Sequence, residues 1–241
     1  MTEADFPLLS LIITIPLLGA LLAGSIRNVD VAKQIAFFTA LITFVLTACA
    51  TLLFDADKSG FQLVERYDWI PLLKIEYLVG VDGISVLFLP MTGLLTIITM
   101  LASWSAISHS SRFHFSLLLA LESVSIGVFC ALDTVLFFLF WELTLPPFFF
   151  LIGLWGIGSQ RRSAAMKYTL FMLAGGVTLL LAIIVLATNH AKQIGGQIPN
   201  DLTFSLPILL NTPLPDNLQT LVFLLLLFGF AVKAPLVPLH T

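Results

Sequence analysis

Long apolar runs recur along this sequence with only short polar breaks between them, and that pattern leaves few folds open. A helix needs about 20 apolar residues to cross the hydrocarbon core of a bilayer. Runs of that length fall at about 7–26, 33–54, 83–107, 114–132, 134–158, 163–189 and 219 to the end. They predict an all-α, polytopic membrane protein of about seven spanning helices. Composition points the same way: 59% of residues are hydrophobic and 10% charged, whereas an ordinary soluble domain carries roughly 25% charged residues. The mean hydropathy is +1.04. The net charge of −3 is spread over the breaks, so no basic patch is available for nucleic acid, and the expected surroundings are the lipid bilayer.

The breaks carry the turn formers and charges expected of loops, as in Arg27-Asn28-Val29-Asp30 and Gly158-Ser159-Gln160-Arg161-Arg162. Two are long. Residues 55–82 hold acids, aromatics and Pro71 and predict an ordered surface segment, whereas 191–218, rich in Gly, Pro, Asn and Leu, suits the membrane interface. Asp133 alone separates the fourth and fifth runs, which predicts a tight antiparallel pair. This divides the chain into residues 1–110, with helices one to three and the segment 55–82, and residues 111–241, with helices four to seven. Leu8 to Ala23 is apolar like a signal peptide, but Glu3 and Asp5 precede it in place of a basic region, so it reads as the first span. Lys and Arg fall in alternate short loops, which predicts an extracytoplasmic N-terminus and basic loops in the cytoplasm or stroma.

Cys49 and Cys130 each stand alone inside an apolar run, far from the several ligands at set spacing that a thiolate metal site needs. They read as small buried side chains. No Gly-rich phosphate loop, Ser-His-Asp set or Cys-x-x-Cys motif occurs, so neither a metal nor a cofactor is expected on this chain.

Three ionisable residues lie inside the predicted spans: Glu122, Glu142 and Lys233. A charge at mid-bilayer costs about 2.5–3.5 kcal/mol even on insertion scales, so such residues face protein or water and usually serve transport. The plain alternative is a neutral glutamate that ties helices together. Opposite charges on separate helices compensate each other, which favours a relay for Glu142 and Lys233. Lys233 lies too far into its helix, about 21 Å from residue 219, to match the depth of Glu142 unless that helix starts early, tilts or breaks. Pro235 and Pro238 each remove a backbone donor, which predicts a break there; broken helices mark ion sites in transporters, though a simple kink or helix end fits as well. Two weaker candidates remain. His240 is a candidate proton shuttle or polar lining, and Lys167 either joins the path or snorkels to the basic face. Asp82 and Asp133 read as helix-start residues, and Gly175-Gly176 as a close-packing site.

Several of these residues sit in recognisable surroundings. Val79-Gly80-Val81-Asp82-Gly83-Ile84-Ser85 precedes the third helix, and Phe140-Trp141-Glu142-Leu143-Thr144-Leu145-Pro146-Pro147-Phe148 lies in the fifth. Leu151-Ile152-Gly153-Leu154-Trp155-Gly156, Ala164-Ala165-Met166-Lys167-Tyr168 and Lys233-Ala234-Pro235-Leu236-Val237-Pro238-Leu239-His240-Thr241 follow. Together they resemble the antiporter-like subunit 4 of complex I, the M-type chain of bacteria and the D-type of chloroplasts and cyanobacteria. The resemblance implies proton translocation in the membrane arm of an NADH- or ferredoxin-driven quinone reductase. Glu142 and Lys233 would form the core of the channel, Glu122 would be a second acidic member, and Lys167 falls where the family often carries a basic residue. Quinone, NADH or ferredoxin, flavin and iron–sulfur clusters would belong elsewhere in the complex, and the partners would be neighbouring membrane-arm subunits in a bacterial inner membrane or thylakoid. The family has two inverted five-helix repeats, and this sequence ends within the first; it also carries two prolines after Glu142 where relatives commonly have one. Multisubunit cation/proton antiporters share the glutamate and lysine positions and form the alternative, as do hydrogenase or inorganic-carbon uptake complexes.

Overall fold

The computed structural model describes residues 4, 6–234 and 236–237. Seven helical spans among them are long and apolar enough to cross a membrane: Leu8–Ser25, Val29–Leu53, Ser85–Ser103, Ser111–Cys130, Thr134–Trp155, Arg161–Gln193 and Asp216–Lys233. We label the helices α1 (Leu8–Ser25), α2 (Val29–Leu53), α3 (Ser85–Ser103), α4 (Ser111–Cys130), α5 (Thr134–Leu143), α6 (Leu145–Trp155), α7 (Arg161–Gln193), α8 (Leu206–Leu209) and α9 (Asp216–Lys233). The fifth span is therefore α5 and α6 together, interrupted at Thr144. The expected seven helices are present, and the chain is an integral, multi-pass membrane protein. One feature lies outside the all-α expectation: β1 (Gln62–Ile70) and β2 (Ile75–Val81) pair as a two-stranded hairpin where an ordered surface segment was expected.

The chain forms two compact units. The first takes the chain up to Glu65 together with Val79–Cys130, and the second takes Arg66–Leu78 with Ala131 onward. This grouping places the fourth helix with the first three. In the first unit α4 packs against α1, α2 and α3, and small residues set the spacing. A Cβ on Gly93 would come within 3.1 Å of the Phe44 backbone, so α2 and α3 touch closely there. The Glu65 carboxylate accepts the Leu9 amide at 2.7 Å and the Ser10 amide at 3.2 Å, which occupies amides left free at the start of α1. At the start of α3 the Asp82 carboxylate accepts the amides of Ile84 and Ser85. Burial pushes this carboxyl up, but the hydrogen bonds from Ser85 and its neighbours outweigh that and hold it below its ordinary range. Of the two cysteines, Cys130 is buried as expected; Cys49 is exposed on α2.

In the second unit the Ala131–Asp133 link runs extended and is stitched on two sides. The Leu132 amide donates to the Leu78 carbonyl at 2.9 Å, and the Leu206 amide donates to the Leu132 carbonyl at 2.7 Å. Asp133, 1% exposed, caps α5 as an acid at a helix start should: its Oδ1 accepts the amides of Val135 at 2.8 Å and Leu136 at 3.0 Å. Its Oδ2 accepts the Glu76 amide of β2 at 3.2 Å. Helix α7 runs past the expected end near 189 to Gln193, where Asn189 donates to the Pro213 carbonyl at 3.1 Å and His190 Nδ1 pairs with Thr212 Oγ1 at 2.7 Å. Apolar side chains of α7, including Leu179, Ile183 and Ala187, pack with Phe204 and with Val135, Phe137 and Trp141 of α5. This core positions the site.

Candidate functional site

The site is built around the interruption of the fifth span. Pro146 and Pro147 have no amide hydrogen, so the carbonyls of Glu142 and Leu143 lose their normal helical donors. The helix divides at Thr144, whose backbone stays in the helical region at φ −69°, ψ −23°. The Thr144 hydroxyl turns back to donate to the Trp141 carbonyl at 2.7 Å.

Lys233, the last residue of α9, reaches this interruption. Its Nζ donates to the Trp141 carbonyl at 2.8 Å and to Thr144 Oγ1 at 2.9 Å, and it lies 3.9 Å from the centroid of the Trp141 ring. An ammonium over an indole face at that distance is held by the ring quadrupole. The ring is wedged by Phe137 and Phe230, with centroids 5.5 and 5.4 Å away. Helix α9 begins at Asp216, three residues before the expected start, and ends at Lys233. The last turn closes with the Leu236 amide on the Ala231 carbonyl at 3.0 Å. Pro235, Pro238 and His240, on which the predicted break and the weaker histidine candidate rest, lie outside the described residues.

Glu142 lies on the adjoining turn and points toward α7. A Cβ built on Gly176 would collide with Glu142 Oε1 and stand 2.7 Å from its Cδ, so the missing side chain of Gly176 is the space that holds the carboxyl. Glu142 Oε2 is buried and has no hydrogen-bond partner among the described residues. Glu142 and Lys233 feel each other electrostatically, yet no ion pair joins them among the described residues. The two groups thus occupy separate seats, Lys233 on Trp141 and Thr144 and the Glu142 carboxyl against Gly176 of α7. Gly175 has the role expected of both glycines: its Cβ would stand 2.9 Å from Val232 Cβ, which is where α7 and α9 pack.

Glu122 lies in the first unit on α4, 1% exposed, with neither carboxyl oxygen hydrogen-bonded among the described residues. Lys167 is exposed on the second turn of α7 and has no hydrogen-bonded or ion-paired partner among the described residues. Thr144, Trp141 and Gly176 carry no charge in lipid, so charge placement could not single them out. The double proline after Glu142 was the available signal for Thr144.

An interrupted helix thus carries a half-buried glutamate and is met by a lysine at the end of a second helix. Residues 131–241 match the family described as NADH:quinone oxidoreductase/Mrp antiporter, transmembrane, and over nearly its whole length the chain is similar to chain 4 and M-type proteins. NAD(P)H-quinone oxidoreductase chain 4 of Synechococcus is 36% identical over 99% of this chain and 42% of its own length. NADH-quinone oxidoreductase subunit M of Rickettsia typhi is 34% identical over 98% of this chain and 48% of its own. The fold superposes on a chain of respiratory complex I from Thermus thermophilus with bound NADH at a TM-score of 0.82 and 25% identity, covering 96% of this chain and 45% of that one. A chain of the Mrp complex from Dietzia shares the fold at a TM-score of 0.71 and 19% identity, covering 92% of this chain and 23% of its own. The chain spans less than half the length of the curated relatives it matches.

Proposed function

We propose that this chain supplies the centre of a proton half-channel in a membrane-arm subunit of an NADH- or ferredoxin-driven quinone oxidoreductase, in a bacterial inner membrane or thylakoid. The subunit would carry no redox centre of its own and would be driven by neighbouring membrane-arm subunits. The observation that carries this reading is the pair of separate seats: Lys233 on the interrupted helix, and Glu142 beside it with a buried, unpaired Oε2. An acid and a base close enough to feel each other but not joined have two arrangements available, paired and parted. Pairing favours both charges and parting disfavours them, so a movement of either helix changes the proton affinity of the lysine. A proton that enters from the cytoplasmic side would load Lys233 and leave when the pair changes state. Glu122, buried on α4, is proposed as a second acidic member by family resemblance, and Lys167 is a weaker candidate.

Replacing Lys233 with Ala tests this directly. The expected result is a complex that assembles at the normal level and no longer translocates protons when its quinone is reduced. A complex that fails to assemble would assign Lys233 a structural role instead. The shared fold with the Mrp chain supports a second reading, a cation/proton antiporter subunit. Sodium-dependent transport in vesicles would favour it, and its absence favours the oxidoreductase.

A further inference from the structure

We propose that Thr144 is a positioning residue for the relay lysine, its hydroxyl turning with the charge on Lys233 so that the buried amine keeps a partner in both proton states. The inference rests on the reading of Lys233 as the relay base.

Three groups meet within one helical turn. Lys233 Nζ donates to the Trp141 carbonyl at 2.8 Å and to Thr144 Oγ1 at 2.9 Å, and Thr144 Oγ1 donates to the same carbonyl at 2.7 Å. Thr144 is buried. With Lys233 charged, two of its three N–H groups have acceptors here and the Thr144 hydroxyl donates to the carbonyl; an ammonium has donors only, and a hydroxyl has one donor and two lone pairs. When Lys233 gives its proton to a water of the path, one N–H bond breaks and its electron pair stays on Nζ. A carbonyl cannot satisfy that lone pair, because it too is an acceptor. The Thr144 hydroxyl can, by rotating about Cβ–Oγ from the Trp141 carbonyl to Nζ, with no heavy atom moving. The neutral amine still donates to the Trp141 carbonyl. A buried polar group left without a partner costs about 1–3 kcal/mol, and the hydroxyl removes that cost from the deprotonated state.

The molecule holds a comparison seat without the hydroxyl. Lys33 Nζ donates to the Trp104 carbonyl at 2.7 Å and lies 5.8 Å from the Trp104 ring centroid, a lysine on a tryptophan carbonyl and ring at the end of α3. No hydroxyl accepts from Lys33 among the described residues, and that lysine caps the end of a helix. Lys233 sits on the same pair of groups with a rotatable donor added, at the interruption between α5 and α6.

The experiment compares Thr144→Val, nearly isosteric but without the hydroxyl, with Thr144→Ser, which keeps it, in the assembled full-length complex in sealed vesicles. Thr144→Val is expected to slow proton translocation about tenfold, the rate equivalent of about 1.4 kcal/mol, with assembly unchanged. Thr144→Ser is expected to translocate within about twofold of the native rate, because the hydroxyl rather than the methyl is required. A native rate for Thr144→Val would overturn the proposal, and so would a Thr144→Ser as slow as Thr144→Val, which would point to packing. If Thr144→Val does not assemble, Thr144→Cys, a weaker donor of similar size, takes its place with the same two outcomes. An active Lys233→Ala complex would remove the relay reading and this inference together. An inactive Lys233→Ala complex with a native Thr144→Val rate would remove this inference alone.

Discussion

Two adjacent glycines on α7 do different work, and only three dimensions separate them. Gly175 and Gly176 read alike as small residues in an apolar run. Gly175 faces Val232 on α9, so a methyl there meets packed side-chain carbon at 2.9 and 3.1 Å. Gly175→Ala should cost about 1–3 kcal/mol by overpacking, seen as a lower unfolding temperature in detergent. Gly176 faces the end of the Glu142 side chain, which can swing away. Alanine is also about 1 kcal/mol better than glycine inside a helix. Gly176→Ala should therefore leave thermal stability unchanged or slightly raised while proton translocation falls, because the carboxyl has lost its seat. A loss of stability matching that of Gly175→Ala would show that Gly176 is only a packing residue. Glu142 and Lys233 were legible in the sequence because charge inside an apolar run is conspicuous. Their seats were not, because a glycine, a threonine and a carbonyl acquire meaning only from what lies opposite them.

At the scale of elements, the interruption of the fifth span was foreshadowed by Pro146 and Pro147, whereas the hairpin was hidden. Its strands are joined through a short 3-10 turn at Pro71–Leu73 and a left-handed Lys74 at φ 56°, not the Asn-Gly or Asp-Gly pair that signals a tight hairpin. Acids and aromatics in β1 therefore read as a surface segment. The hairpin matters to the site through Asp133, which joins the amide of Glu76 on β2 to the first amides of the helix that carries Glu142. Asp133→Ala should cost about 1 kcal/mol as a lost helix cap, measured as a lowered unfolding temperature, while Asp133→Asn keeps the accepting oxygen and most of that stability. Burial raises the Asp133 carboxyl above its ordinary value of 3.8, against the pull of the Leu136, Glu76 and Val135 amides. A raised acid binds its proton more tightly when folded, so its contribution is full below 3.8 and is lost as pH climbs through the folded value. Asp133→Asn should flatten that part of the stability curve. An unchanged slope would mean that the carboxyl titrates no differently in the folded chain.

At the scale of the whole molecule, the seven spans were legible because bilayer thickness sets a length that apolar runs either reach or miss. Their ends shifted by a few residues, as with α7, where Asn189 and His190 extend the helix by bonding to the following link. The division into compact units was less visible, because it follows from which helices pack together and not from where the long links fall. The family relationship and the two seats converge on one claim, that Glu142 and Lys233 form a working acid–base pair rather than a structural tie. The most direct measurement is proton translocation by the assembled complex carrying Glu142→Gln, a change that keeps the size of the side chain and removes its charge. The expected outcome is a complex that assembles and translocates no protons above background. Translocation at the native rate would contradict it.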